Sequence, residues 1–166
     1  MEAVITQGSS GLLEALEGIK GRISAAITHL TNAVVLSMLD DLTASIDAGA
    51  NAEIHIYADT IPTDADTAIA AQVKLTDNLM AATSFPAAAD TAGDGTLTAS
   101  AIADDTSINA TDTATWCRML TAAAGTTIGD FDVGTGAEAL VFNSVAFSSG
   151  ATASITAWLF VMNETG

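Results

Sequence analysis

The chain has 166 residues, which suits one domain with an additional arm, and 20 acidic residues stand against four basic ones. The formal net charge of −16 argues against binding to nucleic acid or to anionic membranes, because affinity for both comes from lysine and arginine. The same acidity favours solubility, and it also fits a protein from a high-salt source.

Residues 1–30 form the first predicted segment, an arm that is partly helical. Leu12, Leu16, Ile19 and Ile23 recur at steps of three and four residues, which is the pattern of an amphipathic helix. Interspersed glycines weaken this helix. The stripe therefore predicts either an arm that orders against a partner or a helix that packs on its own domain. Charged residues interrupt the apolar runs of this segment, so no secretory signal is predicted.

The second predicted segment, residues 31–166, begins with a helix over residues 31–48. Val35 and Leu39 lie on its apolar face, and Gly49 stands where a glycine commonly ends a helix. We expect this helix to lie across a sheet and to bury its apolar face there.

Strand patterns follow the helix for the rest of the chain. The expected strands cover residues 52–58, 69–76, 96–103, 111–120, 126–133, 139–147 and 153–163. Residues 110–133 read as a hairpin at the centre of the sheet, with Trp116 near the middle of its first strand. Val73 and Leu75 are expected to point inward, and a long connection is expected over residues 77–94.

The last strand is apolar on both faces, which predicts burial on both. One face carries Ile155, Ala157, Leu159 and Val161, and the other carries Trp158, Phe160 and Met162. Short strands separated by glycine-marked turns predict a mainly β protein. The expected fold is an antiparallel β-sandwich of the jelly-roll or immunoglobulin-like type, with one packed helix and the N-terminal arm.

No catalytic set, cofactor motif or metal-ligand spacing emerges, so the sequence does not predict an enzyme. Cys117 is expected to be a buried small hydrophobe, and His55 a solvated strand residue rather than a zinc ligand. Arg118 is expected either to pair with an acidic group, across the sheet or across a subunit contact, or to face solvent at an edge. Several aspartates could hold Ca²⁺, although turn chemistry explains them equally: Asp90, Asp94, Asp104, Asp105 and Asp112.

Six segments in a fixed order carry a resemblance to a known family. They are LTASIDAG at 42–49, AEIHIY at 52–57, AIADDTS at 101–107, ATDTATWCR at 110–118, GTGAEALVFNS at 134–144 and GATASIT at 150–156. This order resembles small Ala/Thr/Asp-rich virion proteins of tailed bacteriophages and related viruses, some of which are head decoration or cement proteins. The similarity covers residues 30–161. The chain departs from the family at Cys117, where a bulkier residue is common, and in an insert-like region near residues 78–90.

The resemblance implies a structural virion protein that binds the outside of an assembled capsid and stabilises it. It implies the major capsid protein as partner, a homotrimer, and a place on the capsid surface after synthesis in the host cytoplasm. The expected subunit or capsid contacts are Leu12, Leu16, Ile19, Ile23, Arg118, Trp158, Phe160 and Met162. The alternative is a tail or fibre component, or a surface adhesin, that binds a host receptor; Tyr57 and Phe85 are its aromatic candidates.

Overall fold

The computed structural model describes residues 29–48, 51–121 and 125–164, which form a mainly β fold with one helix. The mainly β class predicted from the sequence is therefore confirmed. The arm with its apolar stripe lies outside the described residues, except for its last two positions, and so does Gly49. No helix in the described part of the chain is long and apolar enough to cross a membrane.

The helix, α1, covers Asn32–Ile46 and buries Val35, Leu39 and Ile46, as its spacing predicts. Thr31 precedes it in an extended conformation. At its other end, the backbone N–H of Asp47 donates to the carbonyl oxygen of Thr43 at 2.9 Å.

Ten strands follow α1 along the chain. They are β1 Glu53–Tyr57, β2 Lys74–Leu79, β3 Ala89–Thr91, β4 Asp94–Thr98, β5 Asp112–Thr113, β6 Trp116–Leu120, β7 Thr127–Gly134, β8 Leu140–Phe142, β9 Ala146–Phe147 and β10 Ile155–Asn163. Eight of them form one sheet in the order β2-β1-β6-β7-β8-β10-β4-β3, and β5 pairs with β9 in a separate ribbon. The pair β7–β8 is parallel and the others are antiparallel, so the sheet is mixed rather than purely antiparallel.

Hydrogen bonds join the β2 end of this sheet to the segment that follows β4. The Asn78 side-chain amide donates to the carbonyl oxygen of Ala103 at 3.0 Å, and the backbone N–H of Ala81 donates to that of Ala101 at 3.1 Å. Buried residues from distant strands, including Ile54 of β1 and Leu97 of β4, belong to one hydrophobic cluster. The sheet therefore bends around a single core.

α1 packs on β4 at a glycine. A Cβ atom at Gly95 would lie 2.5 Å from Val35 Cγ1 and 2.8 Å from Leu39 Cδ1, closer than packed carbon atoms approach. Gly95 pairs with Met162 of β10, so the helix covers the face of the sheet on which Met162 and Phe160 lie. This close approach fixes the position of α1 on the sheet.

Several strand boundaries differ from the prediction. The second strand begins at Lys74 instead of residue 69, and Val73 is exposed rather than inward, although Leu75 is buried as expected. Residues 77–79, expected in a connection, belong to β2. This strand is hard to recognise because it buries Thr76 and Asn78, whose side chains bond each other at 2.8 Å.

Within the described part of one chain, β10 is buried on one face only, and burial of its other face stays a prediction. Trp158 is 1% exposed, whereas Leu159 and Val161 on the opposite face are 46% and 52% exposed. The strand pairs with β8 and β4 along its edges, and α1 covers one face of this part of the sheet. No element of residues 29–48, 51–121 and 125–164 covers the second face.

Candidate functional site

Four charged or titratable side chains lie in register across neighbouring strands β2, β1, β6 and β7. Asp77 pairs with His55, His55 with Arg118, and Arg118 with Asp130. Side chains at paired positions point to the same face of a sheet, so the four form one line, here called the charged row. We take the charged row as the candidate site because it concentrates ionisable groups within the sheet.

Arg118 and Asp130 form a two-pronged ion pair at one end of the charged row. Arg118 Nε donates to Asp130 Oδ1 at 2.6 Å, and Nη2 donates to Oδ2 at 2.7 Å. Nη1 donates to the carbonyl oxygen of Thr67 at 2.9 Å, and hydrogen bonding to Asp130 raises the pKa of the Arg118 guanidinium. Both side chains are less than one tenth exposed. The pair therefore joins β6 to β7 and also holds the 58–73 loop to the sheet.

An aromatic pair supports the same loop. The rings of Tyr57 and Trp116 stack with centroids 4.5 Å apart, and the Arg118 guanidinium carbon lies 5.7 Å from the Trp116 centroid. The Thr115 hydroxyl donates to the carbonyl oxygen of Asp59 at 2.6 Å, where the loop passes through a left-handed conformation (φ 71°). Burial raises the pKa of the Tyr57 hydroxyl. Tyr57 is thus a covered structural residue.

His55 stands at the more exposed end of the charged row. Its Nε2 lies 3.1 Å from Glu53 Oε2 and 3.0 Å from Asp77 Oδ1, while Lys74 Nζ lies 2.6 Å from the same Asp77 oxygen. The His55 side chain is 18% exposed, and it points away from the apolar face as the alternation in β1 predicts. His55 therefore contacts two carboxylates of its own chain, and Asp77 contacts Lys74 as well.

Cys117 lies on the other face of β6 and is fully buried, in agreement with the prediction of a small core residue. Burial raises the pKa of its thiol strongly, and the nearby carboxylates of Asp130 and Asp132 raise it further. A nucleophilic cysteine needs the thiolate form, so this environment suits packing rather than nucleophilic chemistry.

Two of the aspartates that could have held Ca²⁺, Asp90 and Asp105, serve in turns and contacts. Asp90 accepts from Asn32 Nδ2 at 2.8 Å and from the backbone N–H of Gly93 at 3.1 Å. Asp105 accepts from the backbone N–H groups of Asp77 and Ser107 at 3.0 and 2.8 Å. Across residues 29–48, 51–121 and 125–164, no group of three histidine, cysteine or acidic side chains is placed to hold a metal ion.

A shallow cavity of about 410 Å³ lies in the 58–73 loop and is lined by Asp59, Thr60, Ala71 and Gln72. Two others lie away from the charged row. One, of about 260 Å³, is lined by the aromatic rings of Phe142 and Phe147 together with small residues near residues 151–154. The other, of about 300 Å³, lies between residues 99–102 and the start of β10. Neither cavity is lined by a titratable side chain, so neither brings catalytic groups to a bound molecule.

The predicted contact residues divide into three groups. The arm positions lie outside the described residues. Arg118 is bonded within its own chain, and Trp158 is 1% exposed, so both have little surface to offer a partner. Phe160 and Met162 are half-buried against the core, and their role as contacts stays a prediction.

The aromatic candidates for receptor binding are both buried. Tyr57 is 5% exposed and Phe85 is 1% exposed, with its ring against Trp158 and Phe160. Their placement removes the sequence feature that favoured a receptor-binding surface.

Sequence reasoning missed several members of the site: Glu53, Lys74, Asp77, Asp130 and the carbonyl of Thr67. Asp130 could have been found, because it lies on the return strand of the predicted hairpin, opposite Arg118. Asp77 and Thr67 had no comparable signal, since their positions depend on strand pairing and on the path of a loop.

A comparison of the chain with protein-family models found no match. Comparisons with curated proteins and with solved structures found no match either. The resemblance to virion proteins therefore remains one of ordered sequence segments.

Proposed function

We propose that the chain is a structural virion protein of the decoration or cement type, which binds the outside of an assembled capsid and stabilises it. The major capsid protein is the proposed partner, and a homotrimer on the capsid surface is the proposed assembly. The ordered segments over residues 30–161 support this class, because they resemble small virion proteins of tailed bacteriophages.

The internal pairing of the charged row favours a structural role over a catalytic one. Arg118 is held by Asp130 and Thr67, and His55 and Lys74 both contact Asp77. Groups held in this way stabilise a fold and position a loop, and neither of the two cavities away from the charged row brings a substrate to them. We therefore propose that the protein acts through its surface and is not an enzyme.

The finer architecture is part of the proposal. The bend of the sheet around one core is compatible with sandwich-type packing, in which the β2 and β4 ends of the sheet face each other. Residues 1–30 are then an arm added to this domain.

Stabilisation of the capsid follows from mass action. A protein that binds the assembled shell and not its separated subunits lowers the free energy of the shell by its binding free energy. The net charge of −16 keeps such a protein soluble and limits non-specific association before it reaches the shell.

Mass spectrometry of purified particles, with heads and tails separated on a gradient, tests the proposal. We expect the chain in the head fraction at hundreds of copies. Adding the purified protein to heads that lack it should then raise the temperature at which the heads release their genome.

Recovery in the tail fraction at a few copies contradicts capsid decoration and supports the alternative of a tail or fibre component. Absence from both fractions contradicts both virion roles. A head-bound chain that leaves the release temperature unchanged contradicts the stabilising role alone.

A further inference from the structure

The 58–73 loop is longer than the fold requires. Tyr57 at the end of β1 pairs with Lys74 at the start of β2, and the two strands are antiparallel neighbours. About two to five residues commonly join such strands, whereas the whole 58–73 loop joins them here and contains no helix or strand. A connection of this length in a compact domain is uncommon, and when it is ordered it usually has a function of its own.

Hydrogen bonds hold this loop in one conformation. Its outgoing and returning stems are joined where Gln72 Nε2 donates to the carbonyl oxygen of Thr60 at 3.2 Å. The carbonyl oxygen of Thr67, in the middle of the loop, accepts from Arg118 Nη1 at 2.9 Å. A surface that is already ordered loses less conformational entropy when it binds a partner.

The cavity of about 410 Å³, here called the loop cavity, lies between these two stems. Asp59 and Thr60 line it from the outgoing stem, and Ala71 and Gln72 line it from the returning stem. Small-molecule sites cover most of the surface of their ligand, which four residues cannot do. The loop cavity therefore suits one side chain of a larger partner.

The charge of the loop selects a cationic side chain. The loop contains three aspartates and no lysine or arginine. Lys74 and Arg118, the lysine and arginine of the described residues, contact aspartates outside the loop. Asp59 is exposed, so a cation that enters the loop cavity meets its carboxylate without displacing either of them.

Apolar side chains stand next to the loop cavity in the chain. Ile61 follows Thr60 and is 45% exposed, and Val73 follows Gln72 and is 37% exposed. A lysine side chain combines a charged end with an apolar stem, so it matches a carboxylate flanked by apolar groups.

We propose that the loop cavity binds a lysine side chain that lies between apolar residues on the surface of a partner protein. Asp59 receives the ammonium group, and Ile61 and Val73 contact the apolar neighbours of the lysine. This inference goes beyond the proposed capsid role, because any protein surface of this chemistry fits the loop cavity. On an assembled capsid, it names the kind of residue that the chain contacts.

An NMR titration of the isotope-labelled full chain with the peptide acetyl-Leu-Lys-Leu-amide tests the proposal. We expect saturable changes of amide chemical shift that centre on residues 59–61 and 71–73. The control peptide has norleucine in place of lysine, which keeps the apolar stem and removes the charge. It should bind about threefold to fivefold more weakly, as expected for the loss of one partly exposed ion pair.

Asp59→Asn is the matching change on the protein. Asparagine keeps the size of the side chain and tolerates the left-handed backbone at this position (φ 71°). We expect the lysine peptide to bind this variant about threefold to fivefold more weakly. Asp66→Asn removes the same charge from the loop at a position that does not line the loop cavity, so it should leave the affinity unchanged.

Several outcomes overturn the proposal. The absence of saturable shifts at residues 59–61 and 71–73, or equal affinity for the two peptides, contradicts a lysine site. Equal weakening by Asp59→Asn and Asp66→Asn indicates general attraction to an acidic surface. Binding that appears only in the double variant Lys20→Gln/Arg22→Gln indicates that the chain itself supplies the cation. The capsid role is tested on particles, so each proposal can fail without the other.

Discussion

Asp130 provides the most direct test of the candidate site at the scale of single residues. In Asp130→Asn the Arg118 guanidinium keeps its charge but loses its ionic partner in a position that is only 5% exposed. Breaking a buried ion pair from one side typically costs about 3–5 kcal/mol in free energy of unfolding. We expect a loss of that order, measured by urea denaturation followed by tryptophan fluorescence.

Asp77→Asn is the matched control for this substitution. Asp77 also pairs with a basic residue, Lys74, but both side chains are at least 40% exposed. Exposed pairs contribute about 0–1 kcal/mol, so this variant should lose much less stability. Equal losses in the two variants contradict the special importance of the Arg118–Asp130 pair.

The buried thiol of Cys117 should make the free energy of unfolding depend on pH in the alkaline range. Burial raises the pKa of its thiol above the ordinary value of 9.0, so the folded chain keeps a proton that the unfolded chain releases. The free energy of unfolding should therefore fall above about pH 9, by up to about 1.4 kcal/mol per pH unit. Cys117→Ala should flatten this slope between about pH 9 and 10, as measured by urea denaturation at each pH.

Tyr57→Phe separates the contribution of the thiol from that of the buried phenol. The pKa of the Tyr57 hydroxyl is raised from an ordinary value of 10.0. Removing this hydroxyl should therefore change the slope of the free energy of unfolding against pH only above about pH 10. A natural chain and a Cys117→Ala variant with the same slope at pH 9–10 are incompatible with the buried, protonated thiol.

At the scale of elements, Gly95 sets how closely α1 approaches β4. In Gly95→Ala the new Cβ would meet Val35 Cγ1 at 2.5 Å, so the helix must shift or the side chain must change rotamer. Overpacking of this kind costs about 1–3 kcal/mol, and we expect a loss in that range from urea denaturation. The double variant Gly95→Ala/Val35→Ala should lose less than the sum of the two single losses, because Val35→Ala removes the clashing methyl groups.

Gly136→Ala is the control for the helix contact. A Cβ there would meet only Glu138 Oε2, at an ordinary contact distance of 3.6 Å. Its stability should change by about 0.5 kcal/mol or less, as at most surface positions. A Gly95→Ala variant as stable as this control means that α1 does not rest on β4 as described.

Local patterns predicted the elements that the sequence places correctly. The apolar spacing of α1 and the alternation of β1 identify both elements, and the hairpin of β6 and β7 follows from strand formers around a turn. These features depend on neighbours in sequence, which is why they can be predicted.

The remaining features depend on contacts between distant residues. β2 resembles a loop because Thr76 and Asn78 are polar, and their burial is explained by hydrogen bonds that only the folded chain provides. Leu159 and Val161 look like core residues, yet no described element covers them. Of the candidate site, the sequence could suggest the partner of Arg118 across the hairpin, but not the alignment with His55 and Asp77 on other strands.

For the molecule as a whole, uncompensated negative charge is the dominant electrostatic feature. Lys74 and Arg118 are the basic residues of the described part of the chain, and both already contact aspartates. The other carboxylates repel one another, which destabilises the folded state relative to the more expanded unfolded chain. Salt shortens the range of this repulsion from about 30 Å at 0.01 M to about 10 Å at 0.1 M.

We therefore expect the melting temperature to rise with NaCl concentration, by about 2–4 °C for each kcal/mol of repulsion that is screened. Differential scanning calorimetry between about 0.01 and 0.5 M NaCl measures the effect, since screening changes most over that range. A melting temperature that is constant or falls contradicts repulsion as the dominant electrostatic term.

CaCl₂ at matched ionic strength is the control, because the turn aspartates Asp90 and Asp105 already accept hydrogen bonds from the chain. Equal shifts in the two salts indicate screening alone, whereas a larger shift at low Ca²⁺ concentration indicates a specific calcium site and contradicts the assignment of these aspartates to turns.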